Sequence, residues 1–107
     1  MPELPNEIFR KWQHSFEEDS GGVNVYRPVN YNFPRARGRA GIEFSPDGTF
    51  TEYRIGPADR QQQEPGRWEL ISPGKVRVSY NQADRSPRIL EIVLSDLNVL
   101  KIRPLAA

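Results

Sequence analysis

The 107-residue chain contains no cysteine and one histidine. Without cysteine there is no disulfide framework, no thiolate nucleophile and no cysteine-bound zinc or iron–sulfur cluster. A lone histidine cannot supply a two-histidine zinc motif, and neither a glycine-rich phosphate loop nor a dinucleotide fingerprint is present. An excess of one charge is also missing. Fifteen basic residues face 14 acidic ones, a formal net charge of +1, so no broad field draws the chain to nucleic acid or a membrane surface. The N-terminal "MPELPNEIFRKW" has no long apolar run of the kind found in a signal peptide or a transmembrane helix, and the expectation is a cytoplasmic protein without a membrane partner. No cofactor is implied.

What the chain does have is a run of β signals sized for one domain with a small core. Ten prolines and eight glycines fall mostly between short apolar runs. Asn6 is expected to cap a short helical turn reaching about Arg10. The spacing of Trp12, His14 and Phe16 then predicts a strand from Lys11 to Glu18, with those three facing inward and Gln13, Ser15 and Glu17 facing out. "VNVYRPV" reads as a strand and "NYNFPRARGR" as a long aromatic and basic loop. Three hairpins follow: "AGIEFSPDGTFTEYRIG", turning at Pro46-Asp47-Gly48; "GRWELISPGKVRVSYN", turning at Pro73-Gly74; and "RILEIVLSDLNVLKIRP", turning around Ser95 to Asn98. The last has Leu90, Ile92, Leu94, Leu100 and Ile102 at its apolar positions, and "GPADRQQQEPG" is expected to be an exposed loop. About eight short strands without a crossover helix predict an all-β fold: a small eight-stranded up-and-down antiparallel barrel with a short N-terminal helical turn.

From Ile42 to Arg103, "IEFSPDGTF", "EPGRWEL", "KVRVSY", "ILEIVLS" and "LKIR" resemble the pattern of short bacterial lipocalin-like domains. Those domains have an early tryptophan, an aspartate-glycine hairpin and a glycine-x-tryptophan strand start, and here Trp12, Asp47-Gly48 and Gly66-Arg67-Trp68 stand in those places. "WQHSFEED", "YRP", "NFPRARGR" and "IGPADR" are similar to a narrower family of small bacterial proteins, a resemblance that brings no catalytic role. The chain is much shorter than the larger lipocalins, which implies a shallow or filled barrel.

Chemistry-bearing residues concentrate before residue 40. His14, inward and near Glu18 or Asp19, has the residue type for acid–base work near neutral pH or for a polar ligand contact, and equally for a hydrogen bond within its own barrel. Neighbouring strand residues point apart, so the acids of "EEDSGG" do not form one metal site. Their expected partners are Arg35, Arg37 and Arg39 of "PRARGR". Ser15 beside His14 sits on the opposite strand face, which speaks against a serine triad. Tyr26, Tyr53 and Tyr80 are each able to present a hydroxyl to a cavity or to pack as rings. The expected function is a non-enzymatic barrel that binds a small, partly apolar or acidic molecule at the end formed by "HSFEED", "VYRP" and "NFPRARGR". His14, Tyr26, Arg27 and Arg37 would make the contacts, with Trp12 and Phe33 as walls. The alternatives are a protein-binding or homo-oligomerising domain and a small isomerase, lyase or cyclase using His14.

Overall fold

The computed structural model describes residues 4–35, 38–56, 60–81 and 85–105. Within them the chain is all-β. The strands are β1 (Lys11–His14), β2 (Asn24–Pro28), β3 (Gly41–Phe44), β4 (Thr49–Ile55), β5 (Gln61–Ser72), β6 (Lys75–Tyr80), β7 (Arg88–Ser95) and β8 (Leu100–Leu105), and they close into one eight-stranded antiparallel barrel. Among the described residues the only helical parts are two single 3-10 turns, Asn6–Ile8 and Phe16–Glu18. The expected N-terminal turn forms, but Pro5 rather than Asn6 holds its cap position, with the proline φ of −61° leading into the turn.

Local chemistry sets the hairpins. At the β3–β4 turn Gly48 takes a φ of +94°, closed to most side chains, while the Asp47 carboxylate accepts the Thr49 amide at 2.9 Å. At the β7–β8 turn the Asp96 carboxylate accepts the amides of Asn98 and Val99 at 2.7 and 2.9 Å.

Around the barrel the order is β1-β2-β8-β7-β6-β5-β4-β3, each strand antiparallel to both neighbours. One chain connection, β2 to β3, does not join neighbouring strands. β1 lies between β2 and β3, pairing Trp12 with Pro28 on one side and with Ile42 on the other. Both partners therefore run the same way, and residues 29–40 must travel from one end of the barrel to the other past β1. Twelve residues reach about 40 Å when extended, ample for strands this short. The aromatic and basic stretch is thus a crossover.

Three expectations from alternation fail for local reasons. β1 ends at His14, not Glu18, because the Ser15 hydroxyl donates to the Glu18 carboxylate at 2.7 Å and the Ser15 carbonyl accepts the Glu18 amide at 3.0 Å, winding a 3-10 turn. Phases reverse there: Ser15 is 1% exposed and Phe16 47%. The second failure is "QQQEPG", expected as loop, which forms the start of β5 and pairs along β4 from Gln61↔Ile55 to Gly66↔Phe50. A closed barrel leaves no free edge, so pairing overrides polar composition; Asp59 of the same stretch lies outside the described residues. In β7 a register shift between Ile92 and Leu94 turns Leu94 outward, against the expectation that it faces the core.

The core gathers toward one end. Ile8, Trp12, Phe44, Phe50, Val76, Val78, Leu100 and Ile102 are fully buried or nearly so. The Trp12 indole donates to the Ile8 carbonyl at 3.0 Å, fastening the N-terminal turn across that end. Phe9 packs on Trp68, whose indole donates to the Ser45 carbonyl at 2.7 Å. Outward positions carry charges such as Arg67, Glu69, Arg77 and Arg103, the inverse of the apolar outer band of a membrane-spanning barrel. Among the described residues no helix is long and apolar enough to cross a membrane.

Candidate functional site

The acids of "EED" take three different partners. Glu17 pairs with Arg39 at 2.6 Å, Glu18 with Arg27 at 2.7 Å, and Asp19 with the His14 imidazole at 2.7 Å. Arg39, 9% exposed, also donates to the carbonyls of His14 and Pro34 at 3.0 and 2.7 Å, and its guanidinium lies over both Phe16 and Phe33. One arginine thus ties the crossover to the end of β1. The Arg39 hydrogen bond lowers the Glu17 pKa, and the Arg27 hydrogen bond, helped by Ser15, holds Glu18 down to about 2. This is the expected pairing of acids with "PRARGR" in part: Arg39 meets it, Glu18 finds Arg27 instead, Arg35 is exposed, and Arg37 lies outside the described residues.

Of the residues expected to line a pocket, Trp12 is sealed in the core. Arg27 faces outward from β2, held by Glu18, by the Asn98 carbonyl at 3.1 Å and over the Tyr31 ring. Phe33 covers Arg39 and meets the edge of Tyr31. His14 and Tyr26 do come together. They are direct cross-strand partners, facing inward, and their rings stack with centroids 5.1 Å apart. Asp19 orients the imidazole while its other oxygen accepts the Val25 amide at 2.8 Å.

Tyr26 opens onto a cavity of about 520 Å³ at the end of the barrel opposite the N-terminal turn, lined also by Ala40, Ile42, Glu52, Arg54, Arg85 and Arg88. A recess of about 50 Å³ adjoins it, sharing Tyr26, Ile42, Glu52 and Arg88 and reaching Phe50, Tyr80, Leu90 and Ile102. Strand phase places these residues: Phe50, Glu52 and Arg54 alternate on one face of β4, Val76, Val78 and Tyr80 on β6, and Arg88 and Leu90 on β7. Glu52 and Glu64 are direct cross-strand neighbours, a like-charge pair that is unfavourable on its own. Arg85 resolves it, its Nη1 bonding Glu52 at 2.8 Å and also reaching Glu64, with the guanidinium over the Tyr80 ring. Arg54 adds a contact to Glu64 at 3.2 Å, and the Tyr80 hydroxyl donates to Glu52 at 3.3 Å. Arg88 has no acidic partner among the described residues. Burial pushes the Tyr26 hydroxyl up to about 12 and also raises Tyr80, with the Glu52 charge adding to both, so both phenols are neutral donors at pH 7.

Sequence reasoning missed Glu52, Arg54, Arg85 and Arg88, treating the later hairpins as scaffold. A signal existed for three of them. "FTEYR" and "RIL" continue the inward phase of Phe50 and Leu90 with charged residues, and charge in phase with a core marks a barrel mouth. Arg85 sits in a connection where no periodicity applies. Tyr53, the third tyrosine considered for the cavity, borders it too, but its ring lies under Lys11 and its hydroxyl is spent on Glu43 at 2.5 Å. Among the described residues no three His, Asp or Glu side chains are placed to share a metal ion. The chain matches no family model, no curated protein and no solved structure. The mouth thus sets an arginine without an acidic partner among the described residues and the Tyr26 hydroxyl beside the side chains of Phe50, Leu90 and Ile102.

Proposed function

We propose that the open end of the barrel binds a small, partly apolar, acidic molecule. One observation carries the reading: the cavity of about 520 Å³ at that end adjoins a recess that reaches Phe50, Leu90 and Ile102, with Arg88, Glu52 and two neutral phenols at the junction. The likeness to short bacterial lipocalin-like domains and a cytoplasmic location belong to the same reading. His14 acts in it by stacking on Tyr26 and fixing that ring, rather than by touching the ligand.

The test is NMR of the labelled full chain against a library of small acids, amides and amines. The expected result is that acids move the resonances of Tyr26, Tyr80 and Arg88. A library that leaves all three unmoved overturns the reading.

A further inference from the structure

We infer that the pocket selects a small monocarboxylate with an apolar end, Arg88 being the anion contact. The inference rests on the binding reading above and narrows it to one ligand class.

Charge bookkeeping at the mouth gives the valence. Three arginines (Arg54, Arg85, Arg88) face two glutamates (Glu52, Glu64), and Arg85 and Arg54 are already committed to the two carboxylates. The nearby His14 is turned to Asp19. That leaves the guanidinium of Arg88 as the single cation of the mouth without an acidic partner among the described residues. It borders both the outer cavity and the recess, so an anion held there has its remaining atoms directed to either volume. A planar guanidinium fork matches a carboxylate through two parallel N–H···O bonds. A second negative charge on the ligand would meet the Glu52 carboxylate on the same wall, with no further unpaired cation of the mouth among the described residues to receive it. Dianionic phosphate esters are therefore disfavoured, as are di-acids.

Shape sets the other half of the ligand. The recess is lined by Phe50, Leu90 and Ile102, by the Tyr26 and Tyr80 rings, and by Glu52 beside Arg88. At about 50 Å³ it admits only the tip of an apolar group, so the ring or short chain sits largely in the outer cavity beside Ile42. The Tyr26 hydroxyl has no hydrogen-bond partner among the described residues and is free to donate to the carboxylate oxygen that Arg88 does not cover.

Benzoate, benzamide and phenyl phosphate share one ring and differ in charge, and they make the test. The full-length protein is titrated with each at pH 7.5, where phenyl phosphate is mostly dianionic because a phosphate ester's second pKa is near 6. Shifts at Tyr26, Tyr80 and Arg88 are the readout. Benzoate is expected to bind at least about tenfold more tightly than either of the others, the effect of one charge-assisted contact. Arg88→Met should lose benzoate binding by a similar factor, Arg88→Lys should restore part of it, and Tyr26→Phe should weaken it less. Phenyl phosphate binding as tightly as benzoate, or benzoate unaffected by Arg88→Met, overturns the inference. If benzamide or phenyl phosphate moves the mouth resonances and benzoate does not, the carboxylate class is wrong while the pocket stands. If none of the three moves them, and the wider library does not either, both fall.

Discussion

The two ends of this barrel are built from the same strands and solve opposite problems. At the closed end Ile8, Trp12, Phe44 and Trp68 fill the interior, and both indoles spend their N–H on nearby carbonyls, so neither ring brings an unpaired donor inside. At the open end the same inward phase brings Glu52, Glu64, Arg54, Arg88 and Tyr26 together, and the space between them stays unfilled. An interior position is thus no fixed chemical environment. A strand that enters as Phe50 leaves as Arg54. Packing decides stability at one end, and charge balance decides what the other end can hold.

The sharpest way to break this contrast is at the closed end. Trp12→Ala removes a fully buried ring and the bond that fastens the N-terminal turn, and is expected to cost about 4 kcal/mol in urea unfolding. A loss below about 1 kcal/mol would mean that this end is not the stabilising half. At the open end Arg85→Ala leaves Glu52 and Glu64 facing each other without their common cation. The expected loss is about 2 kcal/mol by thermal unfolding, recovered in part by adding Glu64→Gln. Equal stability of the single and double variants would show that the opposed charges are not the cause.

The smallest effect belongs to the outer network, which serves neither interior. Arg27→Met removes the bond that holds Glu18 down to about 2 from its ordinary 4.5. A lowered folded-state pKa gives stability that is fully present above the unfolded value and lost as pH falls toward the folded one. The variant should therefore be less stable than the parent at pH 7, and the gap should shrink between about pH 5 and pH 2. Glu18 is about a third exposed, so solvent screening limits the gap at pH 7 to about 1 kcal/mol. A gap that is constant down to pH 3 in denaturant titrations would assign the effect to lost packing.

Period-two alternation and turn chemistry made the barrel legible. The Pro46-Asp47-Gly48, Pro73-Gly74 and Ser95–Asn98 turns fall between strands as read, and the second of them sets Trp68 against Val78 and Leu70 against Val76 across β5 and β6. Alternation misled where a side chain competed with the ladder. Ser15 and Glu18 wound a turn that reversed the phase of Phe16, and the irregularity after Ile92 turned Leu94 out. For the pocket, His14 and Tyr26 were readable from strand phase, whereas Arg27 was not separable from them. Position in "VYRP" says that it alternates with Tyr26, but only tertiary pairing shows Glu18 holding it outside. The order of the first three strands was also hidden. Nothing local in "NYNFPRARGR" announces that the chain must pass β1 before β3 begins.

That order has a consequence for how the molecule comes together. β2 finds its second neighbour in β8, through Asn24↔Ile102, Val25↔Lys101 and Tyr26↔Leu100, near the opposite end of the chain. The hairpins can form early from nearby residues, but this three-pair join needs a long loop to close first and is among the shortest in the barrel. Tyr26 stands on it. His14 can hold Tyr26 from the β1 side beforehand, but its β8 side is supplied only when the ring of strands is complete, and before that step the chain has the parts of a pocket without its far wall.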